Sequence, residues 1–240
     1  MYVQRSYRNF DTNQTLVPFC VVLRETDLYI KARTRLEQEA LHLLKTARGE
    51  VERYIYHHPV FKTSLTPLPQ DLLASPMVQT MLQAAAFCGV GPMAAVAGAI
   101  AEHVGKGLLE LSPEVIVENG GDIFIQTNET ALIEIFAGAS PLSQKLALSI
   151  KASQMPLGVC TSSGTVGPSL SFGQADAATI LSPCATLADA AATAVGNVIH
   201  GKQDIPRALE KAQSIPGVSG ALIIVGEHLG AWGDVELVGL

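Results

Sequence analysis

The sequence predicts an α+β (mixed α/β) fold, and three observations predict it. Hydrophobic residues make up 48% of the 240 residues against 16% charged, enough apolar side chain to close a large core. Helical periodicity dominates before about residue 110, and short apolar or alternating runs dominate after it. The two classes do not alternate as regular βαβ units, and no repeat of about 20–50 residues is present. One domain spanning residues 1–240 accommodates this length.

In chain order, Val17–Leu23 is an apolar run that reads as a strand, paired with residues 28–32 across a polar turn at 24–27. Leu36, Ala40, Leu43, Leu44 and Ala47 stand at helical spacing. That helix is expected to stop at Gly49, with residues 51–56 extending it after a break. His57 and His58 before Pro59 read as an exposed helix end, and residues 59–69 as a Pro/Ser/Thr-rich connection. Ser75-Pro76 opens a helix that runs to about Cys88, with Ser as N-cap and Pro at the first helical position. A second helix over 93–109 carries Ala94, Ala95, Ala97, Gly98, Ala99 and Ala101, small residues that allow close packing. Residues 115–117, 123–125 and 131–136 read as strands. Residues 145–151 alternate strictly and predict a half-buried strand. Strands at 157–160 and 178–181 are followed by helices at 187–200 and 206–212. Residues 221–225 and 235–238 are expected to close the chain as a hairpin around 227–234.

Charge and composition exclude several function classes. The net charge is −6. The first 60 residues carry nine basic and seven acidic side chains and the rest seven and fifteen, so no clustered basic surface for nucleic acid exists. Cys20, Cys88, Cys160 and Cys184 form no C-x-x-C, and the six histidines have no partner at zinc spacing, so reduced thiols are expected rather than a structural zinc site or a disulfide framework. The N-terminus shows no apolar leader. The apolar stretch around 84–104 is broken by glycines, Pro92, Glu102 and His103, which predicts a buried helix, no membrane span and a cytoplasmic protein. The high apolar content leaves a homo-oligomer or a protein partner open.

Four stretches carry candidate chemistry. Gly89-Val90-Gly91-Pro92 precedes a helix, where Gly91 would let backbone approach an anion; a turn that lets two helices pack reads equally well. Glu118-Asn119-Gly120-Gly121-Asp122 lies between apolar strands. It reads as a hairpin turn first, and its glycines also leave bare backbone for a ligand with Asp122 at the edge. Cys160-Thr161-Ser162-Ser163-Gly164 ends a strand in three hydroxyls and a glycine, suited to phosphate oxygens or simply to a polar loop. Asp189 and Thr193 share one helix face and are hard oxygen donors of the kind that hold Mg²⁺ beside phosphate. Locally, Thr186-x-x-Asp189 also reads as a capping box.

In their order these motifs resemble the ApbE-like superfamily, through ENGGDI (118–123), TSSG (161–164) and ADAAATAVGN (188–197). The known members are Mg²⁺-dependent transferases that attach FMN from FAD to a protein threonine. A more specific likeness, over essentially the whole chain, is to a smaller branch without transferase assignment. It is carried by GVGPMAAVAGAIAE (89–102), VENGGD, CTSSGTVG and SFGQADA. The resemblance implies an ApbE-like fold of mostly antiparallel sheets packed with helices. It also implies a flavin-nucleotide site at Gly120, Gly121, Asp122 and the Thr161–Gly164 loop, with Mg²⁺ at Asp189 and Thr193. FAD or FMN is the ligand class it suggests. The smaller branch is associated with sulfur assimilation towards homocysteine, which makes Cys160 a candidate reactive thiol. Two transferase segments are absent: an A-K-G followed by Asp, where residues 93–98 have neither Lys nor Asp, and an H-x-x-D-P-x-T-G, where residues 170–177 have no His. The expectation is therefore a small anionic, nucleotide-like ligand held with Mg²⁺; the absent segments count against flavin transfer, and an enzyme here would be a Mg²⁺-dependent flavin-nucleotide transferase or hydrolase relative. The alternatives are a sulfur-assimilation accessory protein using Cys160 or a non-catalytic partner protein.

Overall fold

The computed structural model describes residues 15–165 and 172–240. The leader reading of residues 1–14 and the end of the 160–167 stretch, with Ser171, lie outside the described residues. Eleven described strands form two sheets. The large sheet takes β1 (Val17–Leu23), β2 (Thr26–Ala32), β3 (Val115–Asn119), β4 (Asp122–Gln126), β7 (Leu157–Ser162), β8 (Ala177–Ser182), β9 (Gly220–Val225) and β10 (His228–Gly233) in that spatial order. The small sheet places β6 (Leu146–Ile150) between β5 (Ala131–Glu134) and β11 (Leu237–Gly239). Every pairing is antiparallel.

The two-residue period of the strands assigns each face of the large sheet to its own core. Leu28, Ile30, Val117, Phe124, Ile180 and Ile223 point to the helices. Ile125, Leu157, Val159, Leu181, Leu222 and Ile224 point to the small sheet, where Leu148 and Ile150 meet them. The helical layer contains α1 (Glu37–His57), the short α2 (Val60–Thr63), α3 (Pro76–Cys88), α4 (Val96–Leu108), α5 (Ala185–Gly196) and α6 (Ile205–Ser214). α5 lies along β7 and β8 and packs on α3 and α4. No single helix among the described residues is long and apolar enough to cross a membrane.

The Ser75–Pro76 start is realised: the Ser75 side chain accepts from the Val78 N–H, and Gly89 closes α3 in the left-handed region at φ 73°. Four expectations are corrected. α1 passes through Gly49 without a break, because the apolar stripe Ala40, Leu44, Ala47, Val51 continues and a half-buried helical glycine weakens the helix by only about 1 kcal/mol. The 93–109 helix begins as a 3₁₀ turn over Pro92–Ala95, and α3 and the segment after it meet at 108°. β6 is buried on both faces rather than half-buried, as the central strand of the small sheet. The last hairpin joins β9 to β10 over Gly226-Glu227, with Gly226 at φ 59°, and β11 leaves for the other sheet.

Candidate functional site

Asn119 and Asp122 face each other as the last β3–β4 pair, so Gly120 and Gly121 are the two central turn residues. Their φ values, 71° and 115°, lie where only glycine sits without strain. A Cβ added at Gly121 would meet nothing nearer than the Thr161 carbonyl at 3.8 Å. Conformation rather than crowding demands glycine here, and the backbone stays open. The turn is tied to the helical layer by Asn119 Nδ2, which donates to the Ala97 carbonyl at 3.0 Å in the first turn of α4.

Strand register divides the residues around this turn between the two faces. Asp122 pairs with Cys160 and points with it to the helices, as does Ser162, whose Oγ lies 3.4 Å from the Cβ position of Gly196 in α5. Glu118 and Thr161 point the other way. Glu118 is buried, and the Thr161 hydroxyl bonds the Thr179 hydroxyl across β7–β8 at 2.8 Å. Ser163 Oγ accepts from the Thr165 N–H at 3.1 Å. The other two candidate glycines are explained by close backbone approach. A Cβ on Gly164 would fall 2.0 Å from the Gly173 carbonyl, and one on Gly91 would fall 1.8 Å from the Ser64 carbonyl.

Asp189 projects from α5 towards the start of α4, and its Oδ2 accepts from the Gly98 N–H at 2.8 Å. It is not the acidic member of a Thr186 capping box. Cys184 is the N-cap of α5 and makes no side-chain cap. Thr186 instead donates both its N–H and its hydroxyl to Glu102 Oε2, each at 2.9 Å. Glu102 is the residue that reading the sequence missed. The available signal is a single acid in a helix of mostly small and apolar residues, with Lys106 one turn on. Burial pushes the Glu102 carboxyl up, but Lys106 and the Thr186 donors outweigh it and hold the group below the usual carboxylate range. Lys106 Nζ reaches Glu102 Oε1 at 2.6 Å.

Asp122 and Asp189 are both buried, and they act on each other through the space between β4 and α5. Burial pushes Asp122 well above the usual carboxylate range, and the negative charge of Asp189 adds to it. Burial raises Asp189 to about 7 against the pull of the Gly98 and Ala97 N–H groups. No basic side chain is among the main influences on either carboxylate within the described residues. Two buried acids with no counter-charge can share a proton or face a cation. Thr193 stands one helical turn from Asp189, half-buried. No group of three or more His, Cys, Asp or Glu among the described residues is placed to hold a metal. A cation here would draw on few protein oxygens, as Mg²⁺ does when it keeps water and phosphate oxygens in its shell. Cys160 is fully buried, its Sγ donates to the Ala185 carbonyl at 3.4 Å, and burial followed by Asp122 and Asp189 pushes its thiol well above the ordinary range. These surroundings disfavour the thiolate that a sulfur-carrying role requires.

The family described as AbpE bacteria matches residues 9–236. The chain belongs to that family. It is 42% identical over 220 residues to a UPF0280 protein of Methanothrix thermoacetophila, covering 89% of this chain and 90% of the relative. It is 40% identical over 219 residues to a UPF0280 protein of Methanosarcina acetivorans, covering 90% of this chain and 86% of the relative. Among solved structures, the apo flavinyl transferase ApbE of Pseudomonas stutzeri aligns with a TM-score of 0.60 at 14% identity, over 93% of this chain and 96% of that one. A mutant flavin transferase ApbE of Vibrio cholerae aligns with a TM-score of 0.59 at 11% identity, over 91% and 97%. Family and fold thus agree: the protein is an ApbE-like α+β member, and the Asn119–Asp122 turn, the start of α4 and Asp189 meet in one place on that fold.

Proposed function

We propose that this AbpE-family protein binds a phosphate-bearing, nucleotide-like ligand together with Mg²⁺ between the Asn119–Asp122 turn, the first turn of α4 and the Asp189–Thr193 edge of α5. The observation that carries this reading is the pair of buried carboxylates, Asp122 and Asp189, raised in proton affinity and with no basic side chain among their main influences within the described residues. Asp189 and Thr193 would hold the ion, with Asp122 beside it, and hard carboxylate and hydroxyl oxygens suit Mg²⁺. When bound, the ion supplies neutralisation of phosphate charge. The chain's own residues orient the ligand. Gly120 and Gly121 admit it against bare backbone, Asn119 holds the turn on α4, and the Ser162 hydroxyl lies on the same face as Asp122. The fold shared with flavin transferases makes FAD and FMN the first nucleotides to test. Transfer itself is not part of the proposal, because residues 93–98 lack the Lys and Asp, and residues 170–177 the His, of the transferase segments.

The test is thermal unfolding with FAD, FMN and ADP, each with and without Mg²⁺. A ligand at 100 times its Kd adds about 2.7 kcal/mol of stability. The proposal expects a shift for at least one nucleotide that needs Mg²⁺ and is lost in Asp122→Asn and Asp189→Asn. No shift for any pairing would reject it and favour a partner protein that has kept the fold without the chemistry, and the same shift in both variants would reject the carboxylate site.

A further inference from the structure

The helices that frame the site lack caps of their own. Ala95 and Cys184, the residues preceding α4 and α5, make no side-chain cap bond. Each helix instead receives its cap from the other. Glu102 of α4 accepts from the Thr186 N–H at the start of α5, and Asp189 of α5 accepts from the Gly98 N–H at the start of α4. Both carboxylates are buried. The exchange is possible because the first turns are in backbone contact: a Cβ on Gly98 would fall 2.4 Å from the Ala185 carbonyl and 2.7 Å from Asp189 Cβ. Cys184 Sγ also donates to Glu102 Oε2 at 3.4 Å, and Lys106 fixes the other oxygen, so the Glu102 carboxylate is held from several sides.

We infer that Glu102 is a positioning residue for the ligand site: by capping α5 it sets where Asp189 stands, and through Asp189 it sets the first turn of α4. Loss of the Glu102 acceptor leaves the Thr186 N–H buried without a partner, and the first turn of α5 must shift to reach water. Asp189 lies three residues beyond Thr186 in the same helix and moves with it. The α4 N–H that it satisfies is then released, although Glu102 does not touch it. Glu102 itself need touch neither ligand nor ion.

Amide hydrogen exchange tests this without any ligand. In Glu102→Ala, exchange is expected to rise about tenfold, the equivalent of losing one helix cap, at Thr186 and also at Gly98. Glu102→Gln keeps the acceptor oxygen and restores both amides to near wild type. Glu114→Gln weakens the ion pair between buried Glu114 and exposed Arg33 at the far end of β3 and leaves both amides unchanged. An unaltered Gly98 amide in Glu102→Ala would overturn the inference, as would equal loss of protection in Glu114→Gln. Should Glu102→Ala not fold, Glu102→Asp carries the same comparison, because the shorter side chain withdraws from Thr186. The link to function rests on the proposed Mg²⁺ site and is read separately. The Mg²⁺ concentration at half-maximal thermal shift should rise about tenfold in Glu102→Ala and stay near wild type in Glu102→Gln. A wild type that shows no Mg²⁺ response rejects the ligand reading, while the exchange pattern still decides the positioning role.

Discussion

At the scale of the residue, the protein is organised around two acids that folding places in an unfavourable position. Asp122 and Asp189 hold protons more tightly in the folded chain than in the unfolded one. The folded state therefore binds more protons from about pH 4 up to about pH 7 through Asp189, with Asp122 acting in the same direction, and the ligand-free protein loses stability as pH rises through that window. A shift of one unit corresponds to about 1.4 kcal/mol, so the effect is on the order of a few kcal/mol. Asp189→Asn, which keeps an acceptor for the Gly98 N–H, should flatten the profile and be more stable than wild type at pH 8. Urea unfolding at pH 5 and pH 8 reads this, and parallel profiles would contradict the assignment. The thiols give a second residue-scale expectation. Cys20 is exposed, Cys88 is buried with burial pushing its thiol to about 12, and Cys160 is buried with its thiol also pushed well above the ordinary range. Alkylation of the native protein should label Cys20 and spare Cys88 and Cys160 until unfolding. Rapid native labelling of Cys160 would revive the sulfur-carrying alternative.

At the scale of the element, glycines with opposite environments give opposite predictions. Gly49 sits inside α1 with nothing within 4 Å of its Cβ position, so Gly49→Ala should stabilise the protein by about 0.5–1 kcal/mol in chemical denaturation. Gly98 is also helical, but its Cβ position is occupied by the α5 backbone. Gly98→Ala should cost about 1–3 kcal/mol by forcing the α4–α5 pair apart, and under the proposed function it should weaken Mg²⁺ binding as well. The sequence showed that α4 carries many small residues. It did not show which of them meets another backbone, because that depends on where α5 crosses.

At the scale of the molecule, the two cores explain which motif residues converge. The large antiparallel sheet has helices on one face and the small sheet on the other, so strand parity sends neighbouring residues to opposite environments. Asp122 and Cys160 share the helical face with Asp189. Glu118 and Thr161, candidate residues themselves, point to the other face. Thr161→Val should therefore disturb the Thr179 bond and change stability while leaving affinity for the proposed nucleotide ligand near wild type. A large affinity loss, measured by titration with the same nucleotides, would place Thr161 in the site after all.

Local chemistry was legible in the residues themselves. The left-handed pair Gly120-Gly121, the Ser75–Pro76 helix start and most strands follow from conformational preference and periodicity, which act within a few residues. The order of the motifs was enough to suggest the family, and the α+β class followed from the distribution of helical and alternating patterns. The sequence could not decide whether Asp189 caps its own helix or its neighbour, why Gly91 and Gly164 are glycine, or that Glu102 matters. Each of those depends on which distant backbone comes within bonding distance. That is settled only when α4 and α5 pack on the sheet, because hydrogen bonds to buried N–H groups select partners by proximity in space rather than in sequence.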